Sequence, residues 1–177
     1  MLQLITPDLT YMTALMEAAS EMYPIGDWDA TSAALDERFD TILHILTPSG
    51  DPAIAPPGTL PSINYWLLED GVGIGLLTLR PHINDELMQS EGHIGYMIRP
   101  SRRNQEYGTA ILKLGLERAR AIGLTRVLLT CADTNIGSRK VIEANGGQLE
   151  NILQVDADKP PVRRYWITLN SDGTSYG

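Results

Sequence analysis

The chain has 177 residues, 43% of them hydrophobic and 20% charged, which is the balance of one soluble domain with enough apolar material for a full core. A formal net charge of −8 argues against nucleic acid as the main partner, since phosphate backbones select basic faces; it is compatible with a cationic or amine substrate and also with plain solubility. No apolar run approaches the ~20 residues of a membrane span, the opening Met1-Leu2-Gln3-Leu4 lacks the form of a signal peptide, and Cys131, the single cysteine, excludes an internal disulfide. These features predict a cytoplasmic protein with no membrane partner.

Leu2 to Ile5 reads as a short strand, and Pro7-Asp8 opens a helix running to about Met22. A second helix is predicted over 31–46. Pro48, Pro52, Pro56, Pro57 and Pro61 then follow with Gly50 and Gly58, a density that forbids a regular helix or central strand, so 47–62 reads as a long surface loop. Ile63 to Glu69 and Val72 to Arg80 are predicted strands joined by the hairpin turn Asp70-Gly71. Gly92 to Ile98 is a third, ended by Pro100. From Glu106 to Ile122 a helix is predicted, because Ile111, Leu112, Gly115, Leu116 and Ala119 share one face and Lys113, Glu117 and Arg120 the other. A strand over Arg126 to Cys131, a short helix capped by Asn135 and ending at Gly146-Gly147, and strands over 148–155 and 163–169 complete the chain. The order predicts an α/β fold of the α+β type, a single domain over 1–177 whose mixed, mostly antiparallel sheet of about six or seven strands carries helices on both faces.

Between the third strand and the long helix lies the polar, basic turn Arg99-Pro100-Ser101-Arg102-Arg103-Asn104-Gln105. The first N–H groups of a helix are unpaired and the dipole adds positive charge, so such a turn makes an anion site suited to a pyrophosphate. Arg99, Arg102 and Arg103 add charges that fork onto phosphate oxygens, and Gly108 lets backbone approach closely. The alternative is plain surface, with each arginine paired to a carboxylate for ~0–1 kcal/mol. The histidines at 44, 82 and 93 form no ligand cluster, so no metal is expected. Cys131, following an apolar strand, reads as a buried structural thiol.

Downstream come Leu128-Leu129-Thr130-Cys131, Asn135, Ser138, Lys140 and Asn145-Gly146-Gly147. Together with the turn, this order resembles the GNAT superfamily of N-acetyltransferases. That family's phosphate turn reads Arg/Gln-x-x-Gly-x-Gly/Ala, matched by Arg103, Glu106 and Gly108, and its next helix opens with Asn-x-x-Ala/Ser, matched by Asn135 and Ser138. The resemblance is strong over about 92–147, the implied cofactor-binding core. It is closest to a bacterial subgroup with Gly-His-Ile-Gly-Tyr, here 92–96, and Arg-Tyr-Trp, here 164–166; Leu79-Arg80 followed by Asn84 also looks like that subgroup. The resemblance implies that the strand ending at Ile98 splays from the strand over 126–131 and that acetyl-coenzyme A lies in the gap. Its pantetheine arm would pair with backbone near Met97 and Ile98. Its pyrophosphate would sit over Asn104, Gln105, Glu106, Tyr107, Gly108 and Thr109, next to Arg103. Asn135 and Ser138 would lie on the pantetheine side, and Lys140 would reach a phosphate. The implied function is acetyl transfer from acetyl-coenzyme A to a primary amine of a small molecule or peptide, and the family analogy implies a homodimer.

Two positions depart from the pattern. Glu106 replaces the middle glycine of the turn, where a carboxylate 4 Å from a phosphate costs ~1–4 kcal/mol unless it turns outward and favours its own helix start by ~0.3–1 kcal/mol. Ile142 stands seven residues after Asn135, where many members carry a tyrosine that protonates the leaving thiolate. Both leave open a non-catalytic acyl-CoA-binding or sensing domain of the same fold. In the transfer reaction a neutral amine attacks the thioester carbonyl, polarised by backbone N–H near Ile98. An alkyl amine with a pKa near ~10.4 is helped by a base, for which His93 and Glu91 are the candidates, His93 reading equally as a hydrogen-bonded structural residue. Tyr96 is a further candidate catalytic residue, and Tyr96 and Tyr165 line the acceptor pocket or pack the core, as do Trp28 and Trp66. Arg80 with Asn84 orients an acceptor carboxylate or forms a surface ion pair.

Overall fold

The structure is a computed structural model and describes residues 1–23 and 60–169. The helix expected over 31–46, most of the proline-rich loop, Trp28 and His44 lie outside the described residues. Strand β1 (Leu2–Ile5) leads through a 3-10 turn (Leu9–Tyr11), capped by Asp8 accepting from Thr10 N–H at 2.7 Å, into α1 (Met12–Met22). Next come β2 (Ile63–Glu69) and β3 (Val72–Leu79). Asp70 and Gly71 join them at φ 49° and 83°, the two left-handed residues that a tight hairpin needs. After α2 (Asp85–Ser90) come β4 (Ile94–Ile98), a 3-10 turn (Pro100–Arg102) and α3 (Tyr107–Ala121). The chain continues through β5 (Arg126–Ala132), α4 (Ile136–Ala144), β6 (Gln148–Leu153) and β7 (Val162–Thr168).

Two of these elements differ from expectation. Helix α2 was not predicted, because six residues are too few to show a periodicity, although its cap is plain: Asn84 Oδ1 accepts from Leu87 N–H at 2.9 Å, with Asp85 and Glu86 in the first turn. The strand expected from Gly92 begins at Ile94, because Gly92 at φ 71° turns the chain first.

The strands form two antiparallel ladders, β1-β2-β3-β4 and β5-β7-β6. Alternation along β2 sends Tyr65 and Leu67 to one face and Trp66 and Leu68 to the other. On the first face α3 adds Ile111, Leu112 and Leu116 to the larger core. On the second, Leu15, Ala18, Ala19 and Met22 of α1 close a smaller one. At ~1.5–3 kcal/mol for each large side chain taken from water, these two layers supply most of the driving force that holds the first ladder in place. Helix α3 rests against β3 because residue 115 has no side chain: a Cβ there would meet Leu77 Cδ1 at 2.3 Å.

Candidate active site

The site is set by what β4 does on its two edges. Toward β3, Arg80 N–H donates to His93 O at 2.7 Å and Arg99 N–H to Ile74 O at 3.0 Å, bracketing a register that pairs Thr78 with Gly95 and Leu76 with Met97. Antiparallel alternation then assigns Gly95 and Met97 to β3 and turns the backbone groups of Ile94, Tyr96 and Ile98 to the opposite edge. Toward β5, neither ladder pairs β4 along its length. The two meet at one bridge, Gly92 with Leu129, where His93 N–H donates to Leu128 O at 2.8 Å. Beyond that apex the strands diverge, and the edge carrying Tyr96 and Ile98 faces the wedge. Of the two backbone positions expected to pair with pantetheine, Ile98 presents its N–H there and Met97 does not, because its groups are spent on Leu76.

At the far end of β4 the chain enters α3 through two left-handed residues, Asn104 at φ 59° and Glu106 at φ 62°. The first bond of the helix ladder runs from Ala110 N–H to Glu106 O at 3.1 Å, so the N–H groups of Tyr107, Gly108 and Thr109 stand ahead of it. Asn104, Gln105 and Glu106 are exposed there. Arg103 stays at the mouth, donating from Nε to Ile98 O at 3.1 Å, and Gln105 bonds back to Ser101 O at 3.4 Å. The Tyr107 hydroxyl donates to Glu69 Oε2 at 2.5 Å. Gly108 also serves the packing of the helices. A Cβ at this position would stand 3.0 Å from Val141 Cγ2, so the glycine lets α3 and α4 pack, and Asn145 Nδ2 ties the same turn by donating to Thr109 O at 3.3 Å.

Arg99 is not part of the anion site. Its side chain is buried and turned toward α1, where Nε donates to Glu21, Nη2 to Glu17 at 3.0 Å and Nη1 to Gly73 O at 3.0 Å. The guanidinium, followed by the Ser101 hydroxyl and N–H, holds the Glu21 carboxyl down to about 2. Sequence reading missed both glutamates, because nothing in the sequence brings residue 21 to residue 99.

Across the wedge, the Tyr96 hydroxyl lies 2.9 Å from Ser138 Oγ, joining β4 to α4, and burial pushes its pKa up to about 12. Ser138 is placed by Asn135, whose Oδ1 accepts from Ser138 N–H at 3.0 Å, and Lys140, two residues on, is exposed. Ile142 is fully buried in the core. At the apex, His93 Nδ1 accepts from Leu128 N–H at 3.0 Å, which places the imidazole proton on Nε2. Burial first, then the charge of Arg126, lowers the His93 pKa and keeps the ring neutral. The lone pair a base would use is therefore committed to the strand junction.

Glu91 follows α2 and pairs with Arg80 Nη2. Asn84, expected beside Arg80 in acceptor binding, spends its side chain on the α2 cap. Tyr165 is 1% exposed and donates to Glu143 at 3.0 Å, so it packs the core and does not line an open pocket. Trp66 is also fully buried. Cys131 is buried, and burial raises its pKa, so it stays a thiol.

A model of the Acetyltransferase (GNAT) domain family matches residues 3–148. The chain therefore belongs to the GNAT acetyltransferases, enzymes that transfer an acetyl group. Among solved structures, an acetyltransferase from Salmonella typhimurium that modifies the N-terminal serine of ribosomal protein L7/L12 superposes with TM-score 0.64 at 17% identity, covering 96% of this chain and 95% of that one. A mutant form of the spermidine/spermine N-acetyltransferase from Vibrio cholerae gives 0.60 at 16%, covering 96% and 95%. The yncA protein of Salmonella typhimurium with its cofactor acetyl-CoA gives 0.58 at 12%, covering 97% and 96%. A comparison with curated protein sequences finds no match. No helix among the described residues is long and apolar enough to cross a membrane.

Proposed function

We propose that this chain transfers an acetyl group from acetyl-coenzyme A to a primary amine of a small molecule or peptide by direct attack. The observation that carries this reading is the one-sided pairing of β4, which leaves a strand edge free beside α3, whose first turn presents unladdered N–H groups. Those two features fit the two halves of coenzyme A. A pantetheine arm is a chain of amides that completes an open strand edge, here through Tyr96 and Ile98. A pyrophosphate is an anion that suits Tyr107, Gly108 and Thr109 N–H with Arg103 at the mouth of the turn. Two of the structural neighbours are described by amine acceptors, a polyamine and a peptide N-terminus, in keeping with an amine here.

Acetyl-coenzyme A supplies an activated carbonyl with a thiol leaving group; the protein's own residues do the rest. Ile98 N–H is placed to polarise the carbonyl. Tyr96, with Ser138 behind it, takes the place of the tyrosine that Ile142 lacks. A hydroxyl with a pKa of about 12 does not protonate a thiolate outright, since the ~3.5-unit gap to an ordinary thiol amounts to ~5 kcal/mol. Tyr96 acts by donating a hydrogen bond to the developing sulfur anion. With His93 committed to Leu128 and Glu91 to Arg80, the amine enters in its neutral form, the C–N bond forms as the C–S bond breaks, and the amine's extra proton leaves to solvent. A reading as a non-catalytic sensor remains the alternative and rests on Glu106 in the phosphate turn.

Calorimetric titration with acetyl-coenzyme A, together with a thiol-release assay over a panel of amines, tests the proposal. Binding with amine-dependent thiol release supports it. Binding without release from any amine favours the sensor, and no binding overturns both. Tyr96→Phe is expected to bind acetyl-coenzyme A normally and to turn over ~10²-fold more slowly, the usual cost of one transition-state donor.

A further inference from the structure

Two features near the apex are used neither by the fold nor by the coenzyme site. The first is Arg80 Nη1, a guanidinium nitrogen shielded from solvent and without a hydrogen-bond partner; among the described residues only Arg120 Nε, in the last turn of α3, shares that state. A buried donor left unpaired costs free energy that a ligand oxygen would recover. The second is Gly95, in the middle of β4. Its φ is not positive, and the nearest heavy atom to a Cβ built there is that same Arg80 Nη1, at 3.8 Å. A glycine inside a strand weakens it and commonly marks a close approach of a ligand or another chain. Among the described residues, no backbone comes within 4 Å of the place of that Cβ.

The two features adjoin. Residue 95 lies on the face of β4 opposite Tyr96, so a group arriving over Gly95 comes to the wedge from the side away from Ser138. Arg80 is fixed there at both ends. Its N–H donates to His93 O at 2.7 Å and its Nη2 is held by Glu91, while 17% of the side chain stays exposed, so a small rotation of the guanidinium turns Nη1 to an incoming group.

We propose that Arg80 and Gly95 form the acceptor site, with Nη1 binding the carbonyl or carboxylate oxygen next to the amine of an α-amino compound, either an amino acid or a peptide N-terminus, and that Glu91 is the positioning residue that holds the guanidinium. This rests on the acetyl-transfer reading. The acceptor class also agrees with the absence of a committed base. At pH 7 the α-amine of a peptide N-terminus or an amino-acid amide, with pKa near 7.8, is neutral in roughly one molecule in seven, whereas an alkyl amine near 10.4 is neutral in roughly one in 2,500. A site that takes its amine already neutral favours the former by about 10²-fold.

The test is thiol release from acetyl-coenzyme A by the full chain with three probes: alanine amide, the dipeptide alanyl-alanine and 1,4-diaminobutane, an amine without an oxygen. Expected is a kcat/KM at least ~10-fold higher for alanine amide or the dipeptide than for the diamine. The two oxygen-bearing probes separate the sources: a preference for the dipeptide points to peptide N-termini, equal use to free amino compounds. Arg80→Met is expected to raise KM for the preferred probe about 10-fold or more, the worth of ~1.4 kcal/mol, with kcat less affected and acetyl-coenzyme A affinity by calorimetry unmoved. Gly95→Val, which fills the space without touching a charge, is expected to raise the same KM. Preference for the diamine overturns the inference, as does a KM that neither variant moves. A native chain that releases thiol with none of the probes or any other amine overturns the acetyl-transfer reading as well, so the two failures are distinct.

Discussion

The two edges of β4 are built on opposite plans. Facing β3, the strand is laddered from Ile94 to Ile98 and pressed so close that residue 75 must be glycine, since a Cβ there would stand 2.5 Å from Met97 O and 2.7 Å from Ile98 Cδ1. Facing β5, it is fastened at a single apex by His93 and then released. A strand edge can stay open without fraying only if its other edge and its ends are over-determined, and here the tight ladder, the buried Arg99 at one end and the His93 junction at the other do that. The contrast predicts unequal tolerance. Gly75→Ala is expected to destabilise by about 3 kcal/mol, because the neighbour is backbone and cannot yield cheaply, which lowers Tm by roughly 6–12 °C for a chain of this size. Gly95→Ala, in the same laddered stretch but with only an ordinary contact to Arg80 Nη1 at the place of its Cβ, is expected to change stability by less than about 0.5 kcal/mol. Equal shifts in thermal denaturation would contradict the close approach of β4 to residue 75.

The next effect appears in acid. Glu21 is held down to about 2 by Arg99, below the ordinary value of 4.5. A depressed folded-state pKa means that the stabilisation is complete above about pH 4.5 and is lost as pH falls toward 2. Denaturant unfolding between pH 2 and 5 should therefore show a slope that Glu21→Gln reduces, the variant losing stability near neutrality and converging on the native chain near pH 2. A native slope unchanged by Glu21→Gln would mean that the pair does not anchor this end of β4.

The junction itself is tested by His93. Leucine at this position leaves Leu128 N–H without its acceptor, at a cost of about 1–3 kcal/mol; asparagine offers an oxygen in place of Nδ1 and should recover most of it. The His93 pKa is lowered in the folded state, so its share of stability is full above about pH 6.5 and fades as pH falls toward the folded value. A general base is worth ~10²–10⁴ in rate. His93→Asn, if it keeps the native rate of thiol release within about tenfold, identifies the ring as a strand fastener, and a larger loss would restore it as the base.

These residues also mark how far the sequence was legible. The elements that build the wedge follow from local signals: the Asp70-Gly71 hairpin, the apolar face of α3, the Asn135 cap. The family's phosphate-turn pattern located the start of α3. Long-range partners left no such signal. Arg99 stands only three and four residues from Arg102 and Arg103 in sequence, and only the fold shows that it faces Glu17 and Glu21. Asn84 looked like a ligand-binding residue because a six-residue helix is too short to announce the cap it needs. Met97 and Ile98 are neighbours in sequence, yet the hydrogen-bond alternation that gives one to β3 and the other to the wedge depends on the register of a strand some twenty residues earlier.

A further small effect belongs to Glu106, and it sharpens what that position does. The family glycine had an obvious reading as room for a pyrophosphate, but φ 62° gives a second: the turn needs a left-handed residue, which glycine adopts freely and glutamate does not. The left-handed conformation costs a residue with a side chain roughly 1–2 kcal/mol, and glycine returns about 0.4–1 kcal/mol of that through the freedom of the unfolded chain. Glu106→Gly should thus stabilise the fold by only about 0.5–1 kcal/mol. Its effect on acetyl-coenzyme A affinity separates the two readings of the carboxylate. If the side chain points outward, calorimetry should show a change of less than about threefold, since an exposed charge is largely screened. If it faces the phosphates, removing it should tighten binding by ~10-fold or more, the ~1.4 kcal/mol or greater that like charges at close range impose. The first result leaves an active enzyme with a strained turn; the second makes Glu106 the residue that sets how weakly this wedge holds its coenzyme.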